Sequence, residues 1–324
     1  AAVAVATQDD KFLPAEWVAV GLSFSMEVTT FLKHAVRMYA TAELQMNAVE
    51  RVRHYVANVE PEAPEHIDEV PTTWPEAGAL EFKHLSVRYR DGPLVLKDVN
   101  ISVAPREKVG VCGRTGAGKS TLLLLLFRLI EPEPGSVVTI DGKNILTMGL
   151  TDLRRRLAII PQDPTLFSAS LRFNVDPFDE YSDAQIAEAL RLAQLGDIGL
   201  DATVSEGGSN FSQGQKQLIC IARALLRKPK VLVLDEATAS VDHETDAIIQ
   251  RMVREEFAGA TVLTIAHRLD TIADSDKIMV LADGKVVEYG PPAELLAVDG
   301  GTYRGMVEAS AAATSGDGEG GAAE

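Results

Sequence analysis

A chain of 324 residues is long enough to bury a real core and corresponds to about two domains. Its 31 Lys and Arg against 47 Asp and Glu leave a net charge of −16, which argues against wholesale binding to nucleic acid or to an anionic membrane surface. The two cysteines, Cys112 and Cys220, each lie in an apolar run, so a disulfide scaffold is excluded and they read as reduced thiols packed in a cytosolic interior.

The sequence begins AAVAVATQDD, with no initiator Met and no basic segment ahead of an apolar one. No signal peptide is expected, and the chain reads as a piece of something longer. Next comes WVAVGLSFSMEVTTFL, whose single charge is Glu27 and whose sixteen residues fall just short of an ordinary membrane span. Lys33, His34 and Arg37 follow, as the positive-inside tendency expects at a cytoplasmic exit. Hydropathy alone leaves two readings open, the end of a membrane helix or a buried soluble helix. Met38, Ala42, Met46, Val49, Val52 and Val56 then recur at spacings of three and four, which predicts a long helix running to about Asn58. Pro61, Pro64, Pro71 and Pro75 forbid regular structure. The stretch NVEPEAPEHIDEVPTTWPE carries six acids and no Lys or Arg. Residues 58–79 are therefore expected to form an extended acidic linker at a domain boundary.

From Leu80 the pattern changes to strands: LEF, LSVRY, a turn at RDGP, VNISV, then EKVGVCG running straight into a glycine-rich loop and the apolar helix STLLLLLFRL. VLVLDEA and TVLTIAH are short apolar runs with polar ends, the look of parallel strands covered on both faces. KIMVLADGKVVEYG reads as a hairpin around an Asp-Gly turn. Strands alternating with helices predict an α/β domain over residues 80–308, with an antiparallel lobe at its front. The last residues, ASAAATSGDGEGGAAE, contain no aromatic or branched aliphatic side chain, so residues 309–324 are expected to be a disordered tail.

The chemistry concentrates at strand ends. Gly113-Arg114-Thr115-Gly116-Ala117-Gly118-Lys119-Ser120 matches the P-loop pattern and lies between a buried strand and a helix N-terminus. Its glycines let backbone N–H groups close around phosphate oxygens, where the helix dipole adds favourable potential. Lys119 would reach the β and γ phosphates, and Ser120 would ligate Mg²⁺. Asp235 and Glu236 end VLVLD at the sheet edge where ligands of open α/β sheets bind. Asp235 would hold Mg²⁺ through water, and Glu236 would polarise the attacking water. The bland alternative is a strand end that caps the next helix. His267 ends TVLTIAH. A lone His there is more often structural, but beside the other ATPase parts it reads as a γ-phosphate contact. Gln162, in IIPQDP, is neutral and long enough to touch Mg²⁺ or the water. Tyr89, in VRYR, could stack on adenine, although an unaided edge-strand Tyr more often serves packing.

Taken in order, Tyr89, the loop at 113–120, Gln162, Ser212-Gln213-Gly214-Gln215, Asp235-Glu236, Asp242 in ASVD and His267 resemble the nucleotide-binding domain of an ATP-binding cassette (ABC) protein. The resemblance covers Leu80 to about Leu296. NVDPFDEYSD, VSEGGSNFSQGQKQL and LVLDEATASVD look more narrowly like the second cassette of transporters of the C, or multidrug-resistance-associated, subfamily. AELQMNAVERVRHY resembles the cytoplasmic end of that family's last membrane helix. The resemblance implies a P-loop NTPase cassette with a RecA-like parallel core, an antiparallel β lobe and a helical subdomain, preceded by a long helix. Residues 1–57 would be the end of a transmembrane domain. ATP and Mg²⁺ are the implied cofactors, with Thr121 beside the P-loop joining the nucleotide contacts. The implied partners are the first nucleotide-binding domain and the membrane helices of the same transporter, together with a small-molecule or organic-anion cargo. The implied location is a plasma or vacuolar-type membrane, with the cassette on its cytoplasmic side.

In the family the signature motif, here Ser212, Gly214 and Gln215, completes the ATP site of the partner cassette, because two cassettes close head to tail. Asp242 belongs to the same set of contacts. This chain departs from the usual Leu-Ser-Gly-Gly-Gln, with Phe211 and Gln213 in place of Leu and the first Gly. A side chain where backbone normally nears phosphate would loosen that contact. The site of Glu236 is therefore expected to turn over, and the site fed by Ser212 to bind more than it hydrolyses. Three competing classes remain: a soluble cassette ATPase of translation or DNA repair, a regulatory subunit that binds ATP without hydrolysing it, and a GTPase. Intact Lys119, Asp235, Glu236 and His267 count against the second, and the absence of an Asn-Lys-x-Asp motif counts against the third.

Overall fold

The computed structural model describes residues 15–67, 70–71, 73–237, 241–266 and 268–316. The chain divides into two units, Ala1–Glu62 and Ala63–Glu324. In the first, a single helix, α1, spans Ala15–Asn58. It contains no proline and one glycine, Gly21, so nothing interrupts its i to i−4 ladder over about 66 Å. Phe24, Phe31 and Tyr39 are exposed along it. No helix among the described residues is long and apolar enough to cross a membrane. Length is thus present in α1 and continuous apolarity is not.

The second unit is built on two sheets. The six-stranded sheet has the order β10-β9-β3-β8-β7-β6. Its members are β3 (Lys108–Gly113), β6 (Leu157–Ile160), β7 (Val231–Asp235), β8 (Thr261–Ile265), β9 (Lys277–Ala282) and β10 (Lys285–Gly290). All are parallel except β10, which returns antiparallel on β9. The turn between them is the expected Asp-Gly, with φ of 49° at Asp283 and 81° at Gly284, the positive pair that a two-residue hairpin requires. The four-stranded antiparallel sheet has the order β2-β1-β4-β5, from β1 (Leu80–Arg88), β2 (Leu94–Val103), β4 (Val137–Ile140) and β5 (Lys143–Asn144). The two short strands expected at LEF and LSVRY are one strand. The register shifts between Phe82 and Leu85, around His84 at φ 49°, and this bulge is what interrupts the alternation in the sequence.

Both faces of the parallel sheet are covered, which explains why VLVLD is apolar without alternation. Val231 and Val233 enter the core shared with the antiparallel sheet and with α2 (Lys119–Leu126). Leu232 and Leu234 enter the opposite core, against α4 (Leu171–Val175), α5 (Asp183–Leu192) and α6 (Gln213–Arg227). A third cluster joins Cys112, Ile278 and Val280 to Leu295 of α8 (Pro292–Ala297) and Tyr303 of α9 (Thr302–Gly316). The remaining helices are α3 (Leu150–Arg154) and α7 (His243–Glu255). Both cysteines are free and buried, and burial pushes the Cys112 thiol up to about 12.

Two boundaries differ from the expected ones. The acidic stretch 58–79 is not a linker throughout, because from Ala63 onward it belongs to the same unit as the cassette. The amides of Leu150 and Thr151 donate to the carbonyls of Pro64 and Glu65 at 3.0 and 3.1 Å. Gly149 lets the strap pass, since a Cβ there would lie 2.6 Å from His66 Cα. Trp74 is buried and donates from Nε1 to the Ile140 carbonyl at 3.0 Å. Asp141 accepts four backbone amides, from Glu76, Ala77, Gly78 and Ala79. Prolines excluded helix and strand here but not docking by backbone carbonyls. At the other end, α9 runs to Gly316, into the segment expected to be disordered. Alanine's helix propensity carries the helix past the last apolar anchor. Residues 317–324 lie outside the described residues.

Candidate nucleotide-binding site

Parallel order puts the C-terminal ends of β3, β8, β7 and β6 along one edge. The pairing aligns Val111 with Ile265 and Ile265 with Asp235. Gly113 leaves the sheet two residues beyond Val111, Glu236 one beyond Asp235, and Gln162 two beyond the end of β6. The P-loop, the acidic pair and the glutamine thus gather at one rim, where ligands of open α/β sheets sit. His267 lies outside the described residues, two positions after the end of β8.

The loop's glycines are there for backbone shape. Gly113, Gly116 and Gly118 have φ of 149°, 83° and 103°. A Cβ on Gly113 would run into the Leu281 carbonyl, and one on Gly118 would lie 2.7 Å from Leu96 Cδ2. Nothing comes within 4 Å of a Cβ built on Gly116, so the loop is open there and its backbone can approach a phosphate closely. Lys119 is buried, and its Nζ donates to the Gly113 and Arg114 carbonyls at 2.9 and 3.3 Å, which holds the ammonium inside the loop. Arg114, Thr115 and Ser120 are exposed around it and Ala117 is buried. Tyr89 is 45% exposed, and its hydroxyl meets Thr121 Oγ1 at 3.1 Å, which stands the ring beside the first turn of α2.

Glu236 has φ 48°, unusual for a residue with a side chain, and its amide donates to the Ile265 carbonyl at 2.9 Å. Such left-handed positions persist where the surroundings over-determine them, and they cluster at functional sites. The bond to β8 fixes where the carboxylate leaves the sheet. Neither Asp235 nor Glu236 caps α7. That task falls to Asp242, which accepts from the Thr245 amide and hydroxyl, each at 2.9 Å. These bonds, the amide first, hold the Asp242 carboxyl below its ordinary value.

Ser212 sits at the N-cap of α6. Its Oγ accepts from the Gln215 amide at 3.1 Å, and Gln215 Oε1 accepts from the Ser212 amide at 2.9 Å. The reciprocal cap uses the Gln215 amide. The Gln213 and Gly214 amides therefore remain at the helix end, with no protein acceptor among the described residues. Gly214 abuts α7, where a Cβ would lie 3.0 Å from Thr245 Cγ2. Gln217, Arg223 and Thr245 were not picked out from the sequence. A polar Gln217 within the buried face that Leu218, Ile221 and Leu225 form was the available signal.

Among the described residues no group of three His, Cys, Asp or Glu side chains could hold a metal by itself. The Ser120 hydroxyl, Gln162 amide oxygen and Asp235 carboxylate, the residues expected from the sequence to hold a metal, offer only oxygen donors. That chemistry suits Mg²⁺, which keeps waters and substrate phosphates in its shell.

Residues 96–239 match the family model described as ABC transporter. The chain is 52% identical over 301 residues to the rat (Rattus norvegicus) ATP-binding cassette sub-family C member 2, with 90% of this chain and 19% of that protein covered. It is 48% identical over 310 residues to ABC transporter C family member 3 of Dictyostelium discoideum, with 93% and 22% covered. The chain thus spans about a fifth of the length of the curated relatives it matches. A bacterial Atm1-family ABC exporter solved with ATP bound superposes with a TM-score of 0.73 at 32% identity, with 82% of this chain and 48% of that one covered. Fold, rim geometry and relatives agree: the chain belongs to the ABC transporter family and carries its nucleotide-binding ATPase cassette in the sub-family C form.

Proposed function

We propose that this cassette binds Mg²⁺-ATP, hydrolyses it, and is the second of two cassettes driving export of a small molecule or organic anion across a membrane. One observation carries the hydrolytic part. The P-loop, Asp235, a left-handed Glu236 and Gln162 leave neighbouring parallel strands at a single rim. Backbone amides of residues 113–120 and Lys119 Nζ hold the phosphates, and the Tyr89 ring stacks on the base. Ser120, Gln162 and Asp235 are the groups that would hold Mg²⁺, which when bound offsets negative charge on the phosphates. Glu236 takes the proton from the attacking water, and Gln162 orients that water. His267 contacts the γ-phosphate. Ser212, Gly214, Gln215 and Asp242 face the partner cassette. The free amides of Gln213 and Gly214 suit a phosphate brought there by the partner.

The named relatives and the named exporter favour export over a soluble ATPase. In this reading α1 carries the end of the last membrane helix and its cytoplasmic extension, and the cassette lies on the cytoplasmic side of a multi-pass transporter. Glu236→Gln in the assembled transporter tests the mechanism. ATP turnover is expected to fall at least about 100-fold while nucleotide affinity changes by less than about threefold. Turnover at the wild-type rate would reject the assignment.

A further inference from the structure

The turn from α6 into β7 and the turn from α7 into β8 border a cavity of about 610 Å³ whose remaining wall is α5. It lies beside the N-terminal ends of β7 and β8, so the length of the sheet, about 16 Å, separates it from the rim that carries the P-loop and Glu236. The floor is apolar, made by Ala189 and Leu192 of α5, Leu225 and Leu226 of α6, and Phe257 and Ala260 ahead of β8. The polar groups at the mouth are mostly donors in want of an acceptor. Lys228 and Lys230 line it, and neither ammonium has a partner among the described residues. Lys228 has φ 46° at the C-cap of α6, where glycine is the ordinary residue, so a charged side chain is kept there against a backbone cost. The Tyr181 hydroxyl also lines the cavity without a partner among the described residues, and burial pushes the phenol up, so it stays a donor. Gln185 Oε1 is taken by the Ser182 amide and hydroxyl at 3.0 and 2.9 Å, which leaves its NH₂. On the acidic side, Glu188 accepts from Arg191 Nε and Nη2 at 2.7 and 2.6 Å, and Glu256 lies in the field of the same guanidinium. Three cations thus meet two acids at this mouth, in a chain whose net charge is −16. Spare donors above an apolar floor recognise an anion with an apolar body.

We propose that this cavity is a binding site for a small amphipathic organic anion, which lays a ring system on Leu192, Leu225 and Phe257 and sets a carboxylate or sulfonate between the Lys228 and Lys230 ammoniums and the Tyr181 hydroxyl. The volume is that of a drug-sized ligand. A nucleotide suits it poorly, because no glycine-rich loop supplies backbone donors here and the floor is apolar. The two lysines are separated by one residue, Pro229, which is buried, so they flank a single charged group rather than a chain of phosphates. The site stands apart from the reading of residues 113–120 as the ATP site.

Calorimetric titration of the 324-residue chain with naphthalenesulfonate, and with the uncharged naphthalenemethanol that shares its rings, tests the proposal. The sulfonate is expected to bind at a single site at least about tenfold more tightly than the alcohol, and saturating Mg²⁺-ATP should change that affinity by less than about twofold. Replacing Lys228 and Lys230 together by Gln removes two charges that hold nothing else, so the thermal melt should stay within about 3 °C of the wild type. In that double variant the sulfonate should fall to within about threefold of the alcohol, whose own affinity is unchanged. Leu192→Trp fills the floor and should abolish binding of both probes. Equal affinity for the two probes in the wild type, displacement of the sulfonate by ATP, or a tenfold preference that survives in the double variant overturns the site. No binding of the sulfonate at about 1 mM overturns it as well. The charge comparison decides the matter even if Leu192→Trp does not fold.

Discussion

Replacing Asp141 by Ala should loosen the strap that joins residues 63–79 to the cassette. One carboxylate accepts four consecutive amides: Glu76, Ala77 and Gly78 at 2.8, 2.9 and 3.1 Å on Oδ2, and Ala79 at 2.7 Å on Oδ1. A net value of about 1 kcal/mol for each bond, with the exposed Glu76 amide recovering water, gives a loss of about 3 kcal/mol. For a unit of this size that lowers Tm by about 6–12 °C. Asp141→Asn can keep its oxygen toward the three amides on the Oδ2 side and turns its NH₂ toward the Ala79 amide alone, so it should lose about 2 kcal/mol, less than Asp141→Ala. Burial pushes the Asp141 carboxyl up, but the four amides outweigh it and the folded value lies below the ordinary 3.8. A lowered folded pKa contributes stability that is fully present above about 4 and lost as pH falls through the folded value. The wild type should therefore weaken more steeply than Asp141→Ala as pH falls below about 4. Urea melts at pH 7 and at a series of acid pH values read both effects. A difference under about 0.5 kcal/mol at pH 7, with superimposable acid limbs, would refute the reasoning.

Two glycines of the P-loop should separate binding from folding. Gly116→Ala, at φ 83° with open space around it, is expected to cost about 1 kcal/mol in a thermal melt while weakening ATP binding at least about tenfold by calorimetry. Gly113→Ala, whose Cβ would strike the Leu281 carbonyl, should lose both stability and binding. Tyr89→Phe gives up only the bond to Thr121 Oγ1 and should bind ATP within about twofold of the wild type, whereas Tyr89→Ala should weaken it about tenfold. Equal affinity for both variants in a fluorescent-nucleotide titration would remove Tyr89 from the site.

What could be read from the sequence were the features that a periodicity or a short motif encodes. VLVLD and TVLTIAH announced buried parallel strands because both faces of β7 and β8 are covered, and Asp283-Gly284 announced its hairpin because that turn needs two positive φ values. The rim residues among those described were legible because each lies at the C-terminal end of a strand or within two residues of it, or in the loop that opens there. The strap was not. Its hold on the cassette consists of backbone–backbone and side-chain to backbone bonds over more than 60 residues, such as Leu150 to the Pro64 carbonyl and Trp74 to the Ile140 carbonyl, and its prolines signalled only the lack of a helix or strand. α1 was legible as a helix, since heptad-like spacing fixes periodicity, but its surroundings were not, since periodicity does not say what covers a face.

The same limit explains why FSQGQKQL was legible only in part. Ser212 and Gln215 form a capping box that local spacing encodes, and a helix N-terminus follows from it. The amides left over, those of Gln213 and Gly214, follow in turn, since a cap satisfies only some of the first-turn donors. Gln217 is different, because its partners, the carbonyls of Pro161 and Gln162, lie 56 and 55 residues away. Within the helix it is only a polar residue on an apolar face, which by pattern alone looks like a defect. Its burial at 1% turns that defect into a constraint, for an amide kept there at the expense of an unmatched oxygen must be held by the two carbonyls it binds. The signature helix thus presents two donors outward and is anchored inward by Gln217 on the Pro161 and Gln162 carbonyls and by Arg223 on the Thr165 and Asn174 carbonyls.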